Sequence, residues 1–126
     1  FKSNYSHDAS KSIFDIDLRY HEDSEMLRDF FLGIIKIHIL YHAVKSPVYG
    51  AELTEELGSH GYQISPGTLY PILHGLEKEG LLTSHKTVVE GKQRRYYAAT
   101  PQGINALQEA RVRVRELVRE VILEEV

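Results

Sequence analysis

The sequence contains no cysteine, which rules out disulfide bonds and zinc sites built on thiolates. A chain of this kind fits a reducing compartment. Long hydrophobic runs are also missing, because Lys36 and His38 interrupt the longest apolar stretch and the polar N-terminus lacks a signal-peptide core. We therefore expect a cytoplasmic protein that has no membrane partner.

Sequence motifs typical of enzymes are absent as well. The chain has no G-x-S-x-G or H-E-x-x-H motif and no glycine-rich phosphate loop. His38 and His42 are spaced to chelate a metal, but no acid or cysteine accompanies them nearby in the sequence. Histidines of a core or an interface are the favoured interpretation. We expect no catalytic residue, no metal and no other cofactor, and the protein is not predicted to be an enzyme.

The charge of the chain is unevenly distributed. The chain has 126 residues, of which 42% are hydrophobic, and this is enough for one domain with a core. It contains 15 Lys and Arg and 18 Asp and Glu, which give a net charge of -3. Binding to phosphate depends on local charge, and residues 84–97 hold four cations against the single acid Glu90. These cations are Lys86, Lys92, Arg94 and Arg95.

Hydrophobic periodicity and capping signals predict the order helix, helix, helix, hairpin, long helix. Residues 1–22 lack sustained periodicity and are predicted to form an arm, with a short extended piece docked on a neighbour. Ser65-Pro66 is a good helix start, and Glu90-Gly91-Lys92 favours a hairpin turn. The predicted elements are helices from Asp23 or Ser24 to about Lys45, from Tyr49 to Leu57 before a stop at Gly58, from Ser65 to Gly80 and from Thr100 to about Glu124, and strands Leu81–Val89 and Gln93–Ala99.

Three helices followed by a basic hairpin indicate a winged helix-turn-helix. The fold class is mainly α with a small β-hairpin, extended by a long C-terminal dimerisation helix. The third helix would lie in the major groove of double-stranded DNA, with cations of the wing on the flanking backbone. Residues 23–100 are therefore the expected DNA-binding domain. Its expected contacts are Ser65, Gly67, Thr68, Tyr70, His74, Lys78, Lys86, Lys92, Arg94 and Arg95.

Residues 101–126 are interpreted as a dimerisation helix. Twenty-four helical residues extend about 36 Å, longer than a domain of this size needs, and their apolar residues recur in alternating steps of three and four. The first helix is apolar almost all round, so it needs cover on more than one side. The alternative to a homodimer is that the apolar stripe of this helix packs on the domain of its own chain. The expected interface residues are Phe30, Ile34, Leu107, Ala110, Val114, Leu117 and Val121.

Several residues have two interpretations. Arg94 and Arg95 suit a DNA-binding wing or an ordinary solvated strand, and Pro71 suits a tolerated kink or a helix bent to fit the groove. Tyr96 and Tyr97 point in opposite directions along a strand, so one is expected in the core and the other on the wing surface. The main alternative function is a winged-helix protein-interaction module without DNA binding. An acidic or apolar third helix would favour that alternative, and neither is present.

Several spaced motifs occur in order along the chain. They are Tyr49-Gly50, Ile64-Ser65-Pro66-Gly67-Thr68-Leu69-Tyr70-Pro71, Leu76-Glu77, Gly80-Leu81, Gly91, Arg94-Arg95-Tyr96-Tyr97 and Thr100 with Gly103. Through them, residues 26 to about 120 resemble the PadR family of transcriptional regulators. The resemblance implies a DNA-binding winged-helix dimer, usually a repressor, whose single C-terminal helix packs against the partner.

The same resemblance implies two finer expectations. The N-terminal arm and short C-terminus are similar to a clock-associated member of the family, which implies repression of a circadian clock gene. A small-molecule effector of unknown identity is a further expected partner. The chain has no tryptophan, so the aromatic drug-binding pore of multidrug-sensing relatives is not favoured.

Overall fold

The computed structural model describes residues 24–124 and the backbone of residues 16 and 17. Helices and strands follow one another in the predicted order, with three short strands added. The elements are β1 (Ile16–Asp17), α1 (Glu25–Lys45), β2 (Val48–Tyr49), α2 (Gly50–Ser59), β3 (Tyr62–Gln63), α3 (Pro66–Lys78), β4 (Leu82–Val89), β5 (Lys92–Ala99) and α4 (Pro101–Leu117), which continues as a π-helical turn (Val118–Ile122).

Helix α1 begins and ends where capping chemistry predicts. The Ser24 hydroxyl accepts a hydrogen bond from the backbone N–H of Leu27 at 3.2 Å, which satisfies a donor that the first helical turn leaves free. At the other end, Ser46 adopts an extended conformation before Pro47, as expected for the residue preceding a proline.

The predicted bounds of the second helix are wrong at both ends. Tyr49 lies in β2, which pairs antiparallel with β5 and opposes Tyr96. Helix α2 starts at Gly50 and continues through Gly58 to Ser59. The chain turns instead at Gly61, whose φ of 91° is a conformation that glycine adopts without a Cβ clash. A two-residue strand such as β2 carries too little pattern to be predicted.

Helix α3 has the predicted start and end. Ser65 occupies the N-cap position and Pro66 the first turn, but the Ser65 side chain makes no capping hydrogen bond and instead lies 3.4 Å from the Thr68 hydroxyl. Gly80 follows the helix with φ of 83°, as is common after a helix end. Pro71 lies inside the helix and is exposed to solvent.

Strands β4 and β5 form the wing, an antiparallel hairpin that runs in register from Leu82 opposite Ala99 to Val89 opposite Lys92. Its two-residue turn places Glu90 and Gly91 at φ of 51° and 80°, the signature of a type I′ turn that matches strand twist. Strand β5 lies between β4 and β2 in the sheet. The wing therefore has a fixed register and two distinct faces.

The core joins all the helices to the base of the wing. Tyr97 points into it while Tyr96 is only half-buried, which confirms the predicted division between the two tyrosines. The buried apolar residues are Ile35, Ile39, Leu40, Ala43, Val48, Leu53, Leu57, Ile64, Leu69, Leu73, Leu76, Leu82, Tyr97 and Leu107.

A close junction ties the wing to α4. The Thr100 hydroxyl donates to the Gly80 carbonyl at 2.5 Å and accepts from the Gly103 backbone N–H at 3.0 Å. A Cβ at Gly103 would collide with the Leu81 carbonyl. Only a glycine allows the first turn of α4 to approach the backbone between α3 and β4 this closely.

Helix α4 leaves the core after its first two turns. Leu107 is 4% exposed and packs in the core of its own chain, so its prediction as an interface residue is wrong. From Arg111 to Glu124, every residue except Val118 is exposed. Arg113 forms exposed ion pairs with Glu109 and Glu116, consistent with the balanced charges of this helix.

Most of the predicted arm lies outside the described residues. Its described part, β1, pairs in parallel with β3, with Ile16 opposite Tyr62 and Asp17 opposite Gln63. This pairing agrees with a short extended piece docked on a neighbouring element. Among the residues that the structure describes, no helix is long and apolar enough to cross a membrane.

Candidate nucleic-acid interface

The outward surface of α3 is polar and free of exposed acids. Ser65, Gly67, His74 and Lys78 are exposed and Thr68 is half-buried, while Glu77, the only carboxylate of the helix, is not exposed. Free backbone N–H groups and the helix dipole at the N-terminus of α3 favour an anion there. The surface is therefore compatible with the phosphates and base edges of a DNA groove.

Tyr70 has a second contact that its sequence position did not reveal. Its ring lies against Gly50 at the start of α2, so closely that a Cβ at Gly50 would collide with the phenol. The ring remains 40% exposed. Tyr70 thus sets the spacing of α2 and α3 while presenting one edge outward, and Gly50 is the residue that permits this packing.

One face of the wing is connected to α3 through hydrogen bonds. Arg95 donates to the Ser84 hydroxyl at 2.9 Å, and that hydroxyl donates to the Glu77 carboxylate at 2.8 Å. Lys86 is directly opposite Arg95 in the hairpin, so both cations lie on this face. We call this the helix-side face of the wing. It carries two exposed cations and is hydrogen-bonded to α3.

The other face of the wing holds Arg94 in an aromatic cluster. Its guanidinium lies 4.0 Å from the centre of the Tyr49 ring and donates to the Tyr96 hydroxyl at 3.3 Å. The two tyrosine rings are 5.4 Å apart in an edge-on arrangement. Lys92, opposite Val89, shares this face near the turn. Sequence neighbours Arg94 and Arg95 therefore have different surroundings, and Arg94 attaches the wing to β2.

Tyr97 carries an unusual polar group into the core. Its hydroxyl is buried and has no hydrogen-bond partner among the described residues. Burial raises the pKa of Tyr97 above its usual value. The hydroxyl stays neutral, and its burial makes Tyr97 a packing residue rather than part of the exposed surface of α3 and the wing.

A cluster of histidines lies where the C-terminal half of α1 meets the C-terminal half of α2. Ring nitrogens of His38, His42 and His60 all lie within 4.8 Å of one another, and the His38 and His60 rings stack at 4.7 Å. The Glu56 carboxylate is 3.6 Å from His42 Nε2 and 3.5 Å from His60 Nε2. Burial, then repulsion from the other two imidazoles, lowers the pKa of His38. We call these four residues the histidine cluster.

Comparison with known proteins identifies the relatives of this fold. The model of the PadR-like transcriptional regulator family matches residues 39–109. Transcriptional regulator Rv3488 of Mycobacterium tuberculosis is 53% identical over 96 residues, which cover 76% of this chain and 90% of the relative. The chain belongs to the PadR-like family of transcriptional regulators. The expected family and the winged-helix fold are both confirmed.

Solved structures of PadR-like proteins have the same fold. A PadR family transcriptional regulator from Eggerthella lenta superposes with a TM-score of 0.68 at 32% identity, over 80% of this chain and 91% of that one. A PadR-like regulator from Bacillus cereus superposes with a TM-score of 0.65 at 32% identity, over 78% and 93%. As a family of transcriptional regulators, PadR-like proteins are DNA-binding regulators rather than enzymes.

Three features of this PadR-like chain could not be seen in the sequence. The hydrogen bonds from Arg95 through Ser84 to Glu77 connect β5, β4 and α3, and they depend on the register of the hairpin. The stacking of Arg94 on Tyr49 depends on the unpredicted strand β2. The third imidazole of the histidine cluster belongs to His60, at the C-terminal cap of α2, whereas the other two belong to α1. No local pattern in the sequence predicts any of these three contacts. The i, i+4 spacing of Glu56 and His60 can be recognised only once the bounds of α2 are known.

Proposed function

We propose that this PadR-like protein is a homodimeric transcriptional repressor that binds a pseudo-palindromic operator through α3 and the helix-side face of the wing. The observation that carries the proposal is that α3 exposes no acid and is connected, through the hydrogen bond between Ser84 and the half-buried Glu77, to the wing face that carries Lys86 and Arg95. In this arrangement residues 23–100 bind DNA, and the protein shares the cytoplasm with the DNA that it regulates.

Helix α3 would enter the major groove with its N-terminal half. Within 4 Å of the place where a Cβ of Gly67 would be, only the Ser65 hydroxyl is found, at 3.8 Å, so phosphate or sugar can approach the backbone closely. Thr68 and His74 offer hydrogen bonds to base edges, and Lys78 extends toward the backbone. No arginine is present in α3, so bidentate reading of guanine is not available from this helix. Base discrimination in each half-site is expected to be modest, with DNA shape adding specificity.

The wing would supply backbone contacts that do not depend on sequence. Arg95 and Lys86 are exposed on the helix-side face and are paired across the hairpin. Lys92 lies near the tip and can reach a phosphate farther along the duplex. Arg94 is assigned a smaller part in binding, because its guanidinium is already engaged by Tyr49 and Tyr96.

Exposed apolar side chains on α1 and α4 support the homodimer. Phe30 is 49% exposed, Leu117 47% and Val121 63%, and Val114 is exposed as well. Ile34 and Ala110 are half-buried at the same two helices. Covering half of a leucine side chain stabilises an interface by roughly 0.8–1.5 kcal/mol, so several such residues provide a substantial driving force. A closed two-fold dimer then presents two copies of α3.

Two expectations from the sequence resemblance stay predictions. Regulation by a small-molecule effector and repression of a circadian clock gene are not supported by any contact among the described residues. The N-terminal segment on which the clock resemblance depended lies largely outside them. The proposal therefore concerns the operator and the dimer, which the described surfaces support.

Selection of bound fragments from random DNA, at one fixed salt concentration, tests the proposal. We expect two inverted half-sites whose centres are about 10 base pairs apart, or a multiple of that, since two recognition helices must enter one face of B-DNA. Inserting about five base pairs between the half-sites turns one by half a helical turn. Binding should then fall toward the non-specific level.

A reporter gene placed downstream of the selected site distinguishes repression from activation, and transcription should fall when the protein is produced. The original site with its half-sites unchanged serves as the control for the insertion. Enrichment of a single asymmetric site, or tolerance of the insertion, would contradict a rigid dimer. Absence of any enrichment would favour a protein-interaction module that does not bind DNA.

A further inference from the structure

We propose that the histidine cluster binds one divalent transition-metal ion of the Zn²⁺ class, through the imidazoles of His38, His42 and His60 and the carboxylate of Glu56. Each helix contributes a pair at i, i+4 spacing: His38 and His42 from α1, and Glu56 with His60 from α2 and its C-terminal cap. Residues four apart lie on one helix face. The two pairs bring the three histidines together, and Glu56 adds a fourth candidate ligand beside His42 and His60.

The distances fit a tetrahedral ion after small side-chain rotations. Zinc bonds to nitrogen and oxygen of about 2.0–2.1 Å place tetrahedral ligands roughly 3.3 Å apart. Glu56 Oε2 already lies 3.6 Å and 3.5 Å from the nearest nitrogens of His42 and His60. One ring nitrogen of each histidine lies within 4.8 Å of the others, so these nitrogens need to approach by up to about 1.5 Å. His60 is exposed and can rotate without disturbing the core.

The donor set selects the class of ion. Imidazole nitrogens suit zinc, cobalt, nickel and copper, whereas magnesium and calcium prefer sites composed of oxygen atoms. One carboxylate offsets part of the ionic charge, and no thiolate is available in this cysteine-free chain. A purely structural histidine stack would not need Glu56 to lie near two of the three imidazoles at once.

Solvent can reach the cluster, which gives an ion a route to its ligands. His42 and Glu56 line an open depression together with Glu52, Lys45 and Ser46. A hydrated cation can approach from this side, where Glu52 adds negative charge and Lys45 opposes it. The bound ion would join the last turns of α1 to α2, the first helix of the helix-turn-helix. Metal binding is therefore expected to stabilise the folded chain as well.

Metal binding by the full-length protein tests this proposal without DNA. Isothermal titration with Zn²⁺ should give one ion per chain, and Co²⁺ should produce the visible absorption bands of a tetrahedral complex. Glu56→Gln and His60→Gln should each weaken Zn²⁺ binding by at least about tenfold, since even indirect ligand partners contribute that much. Both side chains are nearly half exposed, 44% and 46%, so these variants should fold.

The matched control is His85→Gln, which removes a histidine of the wing far from the cluster in sequence. It should bind Zn²⁺ as the wild type does. In thermal unfolding, Zn²⁺ should raise the Tm of the wild type and of His85→Gln, and raise it much less in the two cluster variants. Equal affinity in all four proteins, or no saturable Zn²⁺ binding by the wild type, would overturn the proposal. Either result would leave the DNA-binding function untouched.

Discussion

Arg94 and Arg95 lie on opposite faces of the wing, and we expect their substitutions to affect DNA binding differently. Arg95 lies on the helix-side face, exposed and opposite Lys86, whereas Arg94 is stacked on Tyr49. We therefore compare Arg95→Gln with Arg94→Gln, which remove the same charge from adjacent positions. If the geometry determines the contact, only Arg95→Gln should change the salt dependence of DNA binding strongly.

The magnitude follows from counterion release. Each phosphate neutralised on B-DNA contributes about 0.9 to the slope of log K against log salt, and a two-fold dimer loses two such contacts, so the slope should shrink by about 1.8. Between 50 and 200 mM salt, a fourfold change, this difference corresponds to roughly a twelvefold smaller loss of affinity than in the wild type. Arg94→Gln should leave the slope nearly unchanged and should lower the Tm, because the contact with Tyr49 and Tyr96 is lost.

Fluorescence anisotropy with a labelled operator, measured at four or more salt concentrations, gives the three slopes directly. The wild type provides the reference, and circular dichroism verifies that both variants are folded. Equal slopes for the two variants would show that the faces of the wing are not distinguished by DNA. A larger change for Arg94→Gln would refute the assignment of the helix-side face.

Three further substitutions test the dimer, the junction and the core. Leu117→Asp places a charge in the proposed apolar interface and should yield monomers in sedimentation velocity. If the wild type itself is a monomer at micromolar concentration, the proposed dimer is wrong. Gly103→Ala forces a methyl group against the Leu81 carbonyl and should lower the free energy of unfolding in urea by about 1–3 kcal/mol; unchanged stability would mean that the junction relaxes easily. Tyr97→Phe removes an unpaired buried hydroxyl and should raise that free energy by about 1 kcal/mol. A decrease would reveal a partner for the hydroxyl.

Local chemistry explains what the sequence predicted well. The ends of α1 follow from Ser24 as a capping residue and from Ser46-Pro47, and the wing turn follows from the positive φ that Gly91 tolerates. Each signal acts within about four residues. Hydrophobic periodicity and these signals together predicted the order of the elements, and the resemblance predicted the family; the structure confirms the order and the relatives confirm the family.

Tertiary contacts explain what the sequence did not predict. Leu107 belongs to a stripe whose spacing is the same for a core helix and for a dimer seam, so periodicity alone could not place it. Tyr49 joins a sheet only because β5 is beside it. His60 lies 18 residues beyond His42 and reaches the same site only through the packing of α2 against α1. In each case the deciding neighbour is distant in the chain.

Of the two hydrogen bonds that connect Arg95 through Ser84 to Glu77, the first is exposed and the second partly buried, and polar contacts at a surface add little stability. Their effect should lie in orientation, because an arginine held in place loses less conformational freedom when it meets phosphate. Immobilising such a side chain costs about 0.5–1.5 kcal/mol, and the dimer has two of them, so Ser84→Ala should weaken operator binding by roughly 5- to 150-fold while leaving stability nearly unchanged. Thr83→Ala, on the opposite face of the same strand, is the matched control and should bind as the wild type does. If Ser84→Ala also binds with wild-type affinity, Arg95 reaches its phosphate without being positioned in advance.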